Sequence, residues 1–144
     1  MTLIHASCVE FMGSGLLICG RPGSGKSDLC LRLIDAGAKF VSDDQTVVEN
    51  RGGKLTASAP DSIKGMLEIR GVGIIETPCI DKTEISLKLS LQSSAQIDRM
   101  PEKHTELIEN AEIPVFYLDA FSVSAVIKIK TLLLIQNQKR KIIT

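Results

Sequence analysis

Eight residues, Gly20-Arg21-Pro22-Gly23-Ser24-Gly25-Lys26-Ser27, match G-x-x-x-x-G-K-[ST] at every fixed position. No other feature constrains the fold as tightly, because this loop works only between a buried strand and the start of a helix. The flanks supply both. Leu16-Leu17-Ile18-Cys19 is a short apolar run, as a buried strand reads. Lys26 to Ala36 predicts a helix: Leu29, Leu33 and Ala36 fall at helical spacing, Cys30 and Ile34 lie alongside, and Gly37 is a C-terminal stop. Each position of the loop has a physical task. The glycines permit positive φ and let backbone N–H groups approach phosphate oxygens. Lys26 brings a point charge to the β- and γ-phosphates, and Ser27 a hydroxyl to Mg²⁺. The helix adds its positive N-terminal end. With glycine at about 7% of residues, a chance match has odds of roughly one in a few hundred.

After the helix the pattern is mainly strands. Lys39-Phe40-Val41 reads as a strand ending at Ser42-Asp43-Asp44. Thr46 to Glu49 and Lys54 to Ala57 pair as a hairpin around Asn50-Arg51-Gly52-Gly53. Ile85 to Gln92 alternates Ile85, Leu87, Leu89 and Leu91 with Ser86, Lys88, Ser90 and Gln92, giving one buried and one wet face. Val115 to Leu118 is a further strand, and Ser122 to Leu134 reads as a closing helix. Few helices separate the later strands, so the expected fold is α/β with a mixed sheet rather than a purely parallel one. No linker or repeat interrupts the 144 residues, which we expect to form a single domain.

Bulk properties narrow the partners. Seventeen basic residues balance 17 acidic ones, so no global field favours nucleic acid or an anionic membrane. Aromatics are 3% of the chain, too few for base-stacking platforms along a single strand. Cys8, Cys19, Cys30 and Cys79 form no C-x-x-C pair and are expected to be reduced and largely buried. No apolar run is long enough to span a bilayer and no secretory signal opens the sequence, so the expected location is cytoplasmic.

Three further groups carry chemistry. Asp43-Asp44 sits where a strand beside a P-loop ends, pointing at the phosphates. One carboxylate can hold Mg²⁺ and another can accept a proton from an attacking hydroxyl, provided the chain turns between them. The plain alternative is a polar turn. Met66 to Ile75 reads MLEIRGVGII, with one acid and one base among apolar residues before G-V-G. Glu68 is a candidate Mg²⁺ ligand and Arg70 a candidate phosphate clamp, against a bulged strand with a surface ion pair. His5, fifteen residues before Gly20, reads by itself as structural or solvated, and His104 as a surface residue.

Taken together, His5-Ala6-Ser7, the P-loop, Val41-Ser42-Asp43-Asp44 and Leu67 to Ile75 resemble the C-terminal catalytic domain of HPr kinase/phosphorylase, in order and spacing. The resemblance is close over residues 1 to about 80 and looser beyond. It implies a P-loop kinase core similar to that of phosphoenolpyruvate carboxykinase. It also implies an ATP- and Mg²⁺-dependent enzyme that phosphorylates a serine on HPr, the small phosphocarrier of the sugar phosphotransferase system, and a homo-oligomer, a hexamer in the family. On this likeness His5 is an active-site histidine, Lys26 the phosphate lysine, and Ser27 and Glu68 magnesium ligands. The Asp43-Asp44 pair contains the base, with Asp44 favoured. Two departures stand out. The family's long form has an N-terminal domain that does not fit before Met1, so the chain looks like the short form. The family's P-G-R-N loop, with its arginine, falls near Ile113 to Ser122, where this chain has none. Weak reverse phosphorolysis is the expectation. The alternatives are a small-molecule kinase, which usually brings arginines on a lid where this chain has only six scattered ones, and a nucleotide-binding regulatory module without turnover, which has no need of Asp43, Asp44 and Glu68 together.

Overall fold

The structure, a computed structural model, describes residues 1–143. Eleven strands and two α-helices follow one another in these residues. The first three strands are β1 (Thr2–Ile4), β2 (Ala6–Phe11) and β3 (Ser14–Cys19). The apolar run Leu16 to Ile18 is fully buried in β3. β3 runs antiparallel to β2, which runs antiparallel to β4 (Lys39–Ser42). β4 is therefore parallel to β3, and the carboxyl ends of both meet the amino end of β2 at one edge. That geometry brings His5, Gly20 and Asp43 together.

Helix α1 (Lys26–Asp35) leaves the loop after β3 and buries Leu29, Cys30 and Leu33. Its end is a Schellman motif. The Ala38 N–H donates to Leu33 O at 2.9 Å, and the N–H of Gly37, at φ 108°, donates to Ile34 O at 3.0 Å. The polypeptide then turns straight into β4.

On the far side of β3 lies β9 (Thr83–Leu91), parallel to it, and beyond the second half of β9 lies β11 (Ala111–Leu118), also parallel. β10 (His104–Ile108) is antiparallel to β11. The first residues of β9 pair instead with β6 (Lys54–Ser58), which forms the expected hairpin with β5 (Thr46–Arg51) and leads to β1. The nine-stranded sheet is thus mixed and branches at β9, which curls it. A separate hairpin, β7 (Met66–Ile69) with β8 (Gly73–Glu76), stands beside α1.

The curl creates two cores. One packs α1 and α2 (Ala125–Gln136) on β2, β3, β9 and β11 through residues such as Leu16, Ile18, Leu33, Leu87, Leu89 and Ile129. The other lies on the opposite face around Cys8, Leu17, Val41, Val48 and Leu55. β9 departs from the single buried face that its alternation predicts. Ile85 joins the second core while Leu87 and Leu89 join the first. The register with β3 shifts between Gly15 and Leu16, and this irregularity carries the change of face. The closing helix also begins three residues later than expected. The Phe121 N–H donates to Asp119 Oδ1 and the Ser124 N–H to Ser122 Oγ, local bonds that hold 119–124 in turns. Lys128 and Lys130 lie on α2, exposed. All four cysteines are free, with Cys8 and Cys30 buried and the other two partly so. No helix among the described residues is long and apolar enough to cross a membrane.

Candidate functional site

The P-loop turns into α1 at Gly25, whose φ of 97° lies in the left-handed region. A side chain there would be strained by the backbone and would meet Ala120 and the Phe121 ring at 3.0–3.3 Å, so glycine is required twice over. Lys26 is only 7% exposed. Its ammonium folds back over the loop, donating to Gly20 O at 2.9 Å and Arg21 O at 3.3 Å, with Asp44 Oδ1 at 3.9 Å. The hydroxyl of Ser24 is buried and has no hydrogen-bond partner among the described residues. A buried polar atom without a partner is costly in an ordinary turn. In a phosphate cradle it is a donor kept for an anion, and the loop's open N–H edge and the helix end behind it are of the same sign. Arg21, Pro22 and Gly23 form the exposed rim of the loop.

The two aspartates, adjacent in sequence, occupy different environments. Asp43 is 9% exposed, and three donors converge on its carboxylate. Ser27 Oγ donates to Oδ1 at 2.8 Å, Ser7 Oγ donates to Oδ1 at 3.1 Å, and the Glu68 N–H donates to Oδ2 at 3.1 Å. Asp43 thereby ties the P-loop helix, strand β2 and the β7–β8 hairpin to one carboxylate. The chain then turns sharply: Gln45 N–H donates to Asp43 O at 2.7 Å, and Asp44 takes φ 65°. This is the turn that two separate roles require. Asp44 faces outward, 53% exposed, with its Oδ1 2.8 Å from His5 Nε2. The Ser7 hydroxyl also accepts from the Asp44 N–H at 2.9 Å, so one buried side chain positions both acids.

Glu68 is exposed on β7, held near Asp43 through its own backbone. Leu67, fully buried beside it, anchors the strand in the helix-side core. Arg70 lies in the exposed turn of this hairpin, where Ile69 pairs with Gly73 across three residues. The segment is thus a hairpin with a glycine-rich turn rather than one bulged strand. Ser27, Asp43 and Glu68 offer hard oxygen donors, the set Mg²⁺ takes. No group of three or more His, Cys, Asp or Glu side chains among the described residues forms a metal cage. A cation held by one or two protein oxygens and by substrate phosphates needs no such cage.

His5, Lys26, Ser27, Asp43, Asp44 and the Glu68 backbone therefore come together, while Arg70 stands at the hairpin tip. Ser7 has a part that its sequence position did not announce. His5 lies at the bend between β1 and β2, and Ser7 follows as the second residue of β2, buried where His5 is exposed. His104 is exposed, as expected, with its ring edge-on to Tyr117.

The family model for the HPr Serine kinase C-terminal domain matches residues 1–129. An HPr kinase/phosphorylase from Clostridium tetani is 43% identical over 79 residues, which are 55% of this chain and 26% of that protein. One from Lactobacillus johnsonii is 37% identical over 119 residues, 74% of this chain and 37% of that protein. The chain spans between a quarter and two-fifths of the length of these two relatives. A solved structure of the Hpr(Ser) kinase/phosphatase from Coxiella burnetii superposes with a TM-score of 0.86 at 27% identity, covering 96% of this chain and 98% of that one.

Proposed function

The chain belongs to the HPr serine kinase C-terminal domain family, and on that premise we propose that it transfers the γ-phosphoryl group of ATP to a serine hydroxyl of HPr or a similar phosphocarrier. The observation that carries this reading is the division of labour in the acidic pair. Asp43 is bound to the P-loop serine, while Asp44 is open to a partner and 3.9 Å from the phosphate lysine.

In this reading the N–H groups of Gly20 to Ser27, the Ser24 hydroxyl and Lys26 hold the triphosphate. Ser27 and Glu68 would hold Mg²⁺, which would supply charge neutralisation to the phosphates. Asp43 keeps Ser27 and the β7–β8 hairpin in register. Asp44, with its orientation fixed by His5 and Ser7, accepts the serine proton. The serine oxygen bonds to the γ-phosphorus, the bond from that phosphorus to the bridging oxygen breaks, and ADP leaves with the electron pair. Phosphoryl transfer asks little more of a protein than positioning and charge stabilisation, and these groups supply both. Arg70, in the exposed turn two residues beyond Glu68, is the candidate phosphate clamp in this reading. The enzyme is proposed to act as an oligomer, with neither nucleic acid nor membrane as a partner.

The test is ADP release by the purified chain with Mg²⁺ and ATP, in the presence of an HPr-type carrier, of sugars and nucleosides, or of no acceptor. The reading expects stimulation by the carrier alone. Stimulation by a small hydroxyl compound makes the chain a small-molecule kinase, and tight ATP binding with no stimulated release makes it a regulatory module.

A further inference from the structure

We propose that the aromatic ring of Phe121 is the stacking surface for the nucleoside of the triphosphate whose phosphates the P-loop holds. The inference rests on the phosphate-binding reading of Gly20 to Ser27 and extends it to the other half of the ligand.

The sheet order gives the cradle two unlike sides. β2 and β4 flank β3 on one side, bringing His5, Asp43 and Asp44 to the cradle. β9 and β11 flank it on the other. β3, β9 and β11 are mutually parallel, so all three carboxyl ends open on the same edge, the edge where α/β sheets bind ligands. In the proposed mechanism the acidic side goes to the metal and the phosphoryl acceptor. A nucleoside extending from the phosphates is left the β9–β11 side.

There the chain presents Phe121. Its ring carbons lie 3.2–3.3 Å from where a side-chain carbon on Gly25 would be, so the ring stands directly against the cradle. Yet 68% of the residue is exposed. An exposed phenylalanine on a wandering loop means little, but this loop is fastened at three points. The Asp119 carboxylate accepts from Ser94 N and Oγ at 3.0 and 2.7 Å, and from the Phe121 N–H at 3.0 Å. The guanidinium of Arg32, from α1, donates to Ala120 O. The Ala120 side chain is 1% exposed, wedged against Gly25. The backbone that carries the ring is thus held in place before a ligand arrives, which lowers the ordering that a ligand must supply. Aromatic rings stack nucleobases with little regard to base identity. The class of ligand is a nucleoside triphosphate, with weak discrimination among bases, adenine and guanine included.

The experiment compares ATP, GTP and inorganic tripolyphosphate, each with Mg²⁺, on wild type, Phe121→Ala and Phe121→Trp by titration calorimetry. Phe121→Ala should weaken ATP and GTP about tenfold each, the loss expected of one base–aromatic stack, and leave tripolyphosphate unchanged. Phe121→Trp should restore both nucleotides. Equal weakening of tripolyphosphate would mean that Phe121 only braces the Gly25 turn, and unchanged nucleotide affinity would mean that the base lies elsewhere; either overturns the proposal. A wild-type protein that binds tripolyphosphate but shows no gain for ATP also overturns it, while leaving the cradle intact. A wild-type protein that binds none of the three removes the phosphate reading itself, and this inference with it.

Discussion

Asp43→Asn and Asp44→Asn, one residue apart, should have opposite defects. Asp43 is 9% exposed and accepts three hydrogen bonds, from Ser27, Ser7 and the Glu68 backbone. An asparagine keeps one carbonyl oxygen. If that oxygen serves the two serines, the amide group faces the Glu68 N–H, donor against donor. One hydrogen bond to a charged acceptor is lost inside the structure, a cost of about 1.5–3 kcal/mol. In a chain of 144 residues that corresponds to a Tm lower by about 5–10 °C. Asp44 is 53% exposed, with His5 at 2.8 Å and the Lys26 ammonium at 3.9 Å. An exposed pair contributes roughly 0–1 kcal/mol, and asparagine tolerates the left-handed backbone found there. Asp44→Asn should therefore unfold within about 1 kcal/mol of wild type and bind ATP normally. Its transfer rate should fall by about 10²- to 10⁴-fold, the usual contribution of a general base. Urea unfolding gives the first quantity and initial rates of carrier phosphorylation the second. The reasoning is refuted if Asp43→Asn unfolds with wild-type stability, or if Asp44→Asn transfers phosphate at close to the wild-type rate.

Other expectations follow from the same geometry. Lys26→Ala should abolish measurable ATP binding by calorimetry while leaving the far-UV circular dichroism unchanged; unaltered affinity contradicts the P-loop assignment. Burial pushes the Cys30 thiol up to about 12 and holds Cys8 well above its ordinary value. Neither should react with a thiol reagent at pH 8, whereas Cys79, partly exposed, should, and Cys19, whose thiol is also pushed up by burial, should react more slowly than Cys79. The sign of the linkage is fixed, since the folded chain keeps these protons after the unfolded chain has lost them: stability is full below about pH 9 and falls as pH rises towards 12. A urea midpoint that does not drop between pH 8 and pH 10.5 is against it. Phosphorolysis should be weak. Phosphate beside phosphoserine crowds negative charge, and the segment Ile113 to Ser122 has no arginine to offset it. Pyrophosphate release from serine-phosphorylated carrier at a rate near that of forward transfer would show that the absent arginine does not matter.

Much of this arrangement is written locally in the chain. The P-loop, its strand and its helix are legible because glycine placement, apolar runs and helical spacing are local signals, and Gly37 ends α1 as its position implies. The β5–β6 hairpin is legible for the same reason, from its Gly52-Gly53 turn. The roles of Asp43 and Asp44 are not. They depend on the positive φ at Asp44 and on a bond from Ser7, 36 residues distant from Asp43. No local pattern encodes either. The change of face along β9 is invisible for a related reason: an alternating pattern looks the same with or without an irregular register. The true start of α2 is hidden because Asp119 and Ser122 offer the backbone side-chain partners before the helix can. Phe121 has no periodic signal at all. Its meaning comes only from its contact with Gly25, 96 positions away in the chain.

The most direct test of the whole reading follows the label itself. Purified chain, Mg²⁺ and ATP labelled in the γ-phosphoryl group are incubated with an HPr-type carrier, and the carrier is recovered, treated with acid and mapped by mass spectrometry. The arrangement of Lys26, Ser27, Asp43 and Asp44 predicts an acid-stable label on one serine of the carrier, appearing with wild type and nearly absent with Asp44→Asn. Label that remains in ATP or inorganic phosphate, or that reaches the carrier in an acid-labile form, would contradict the assignment of this site to serine phosphorylation.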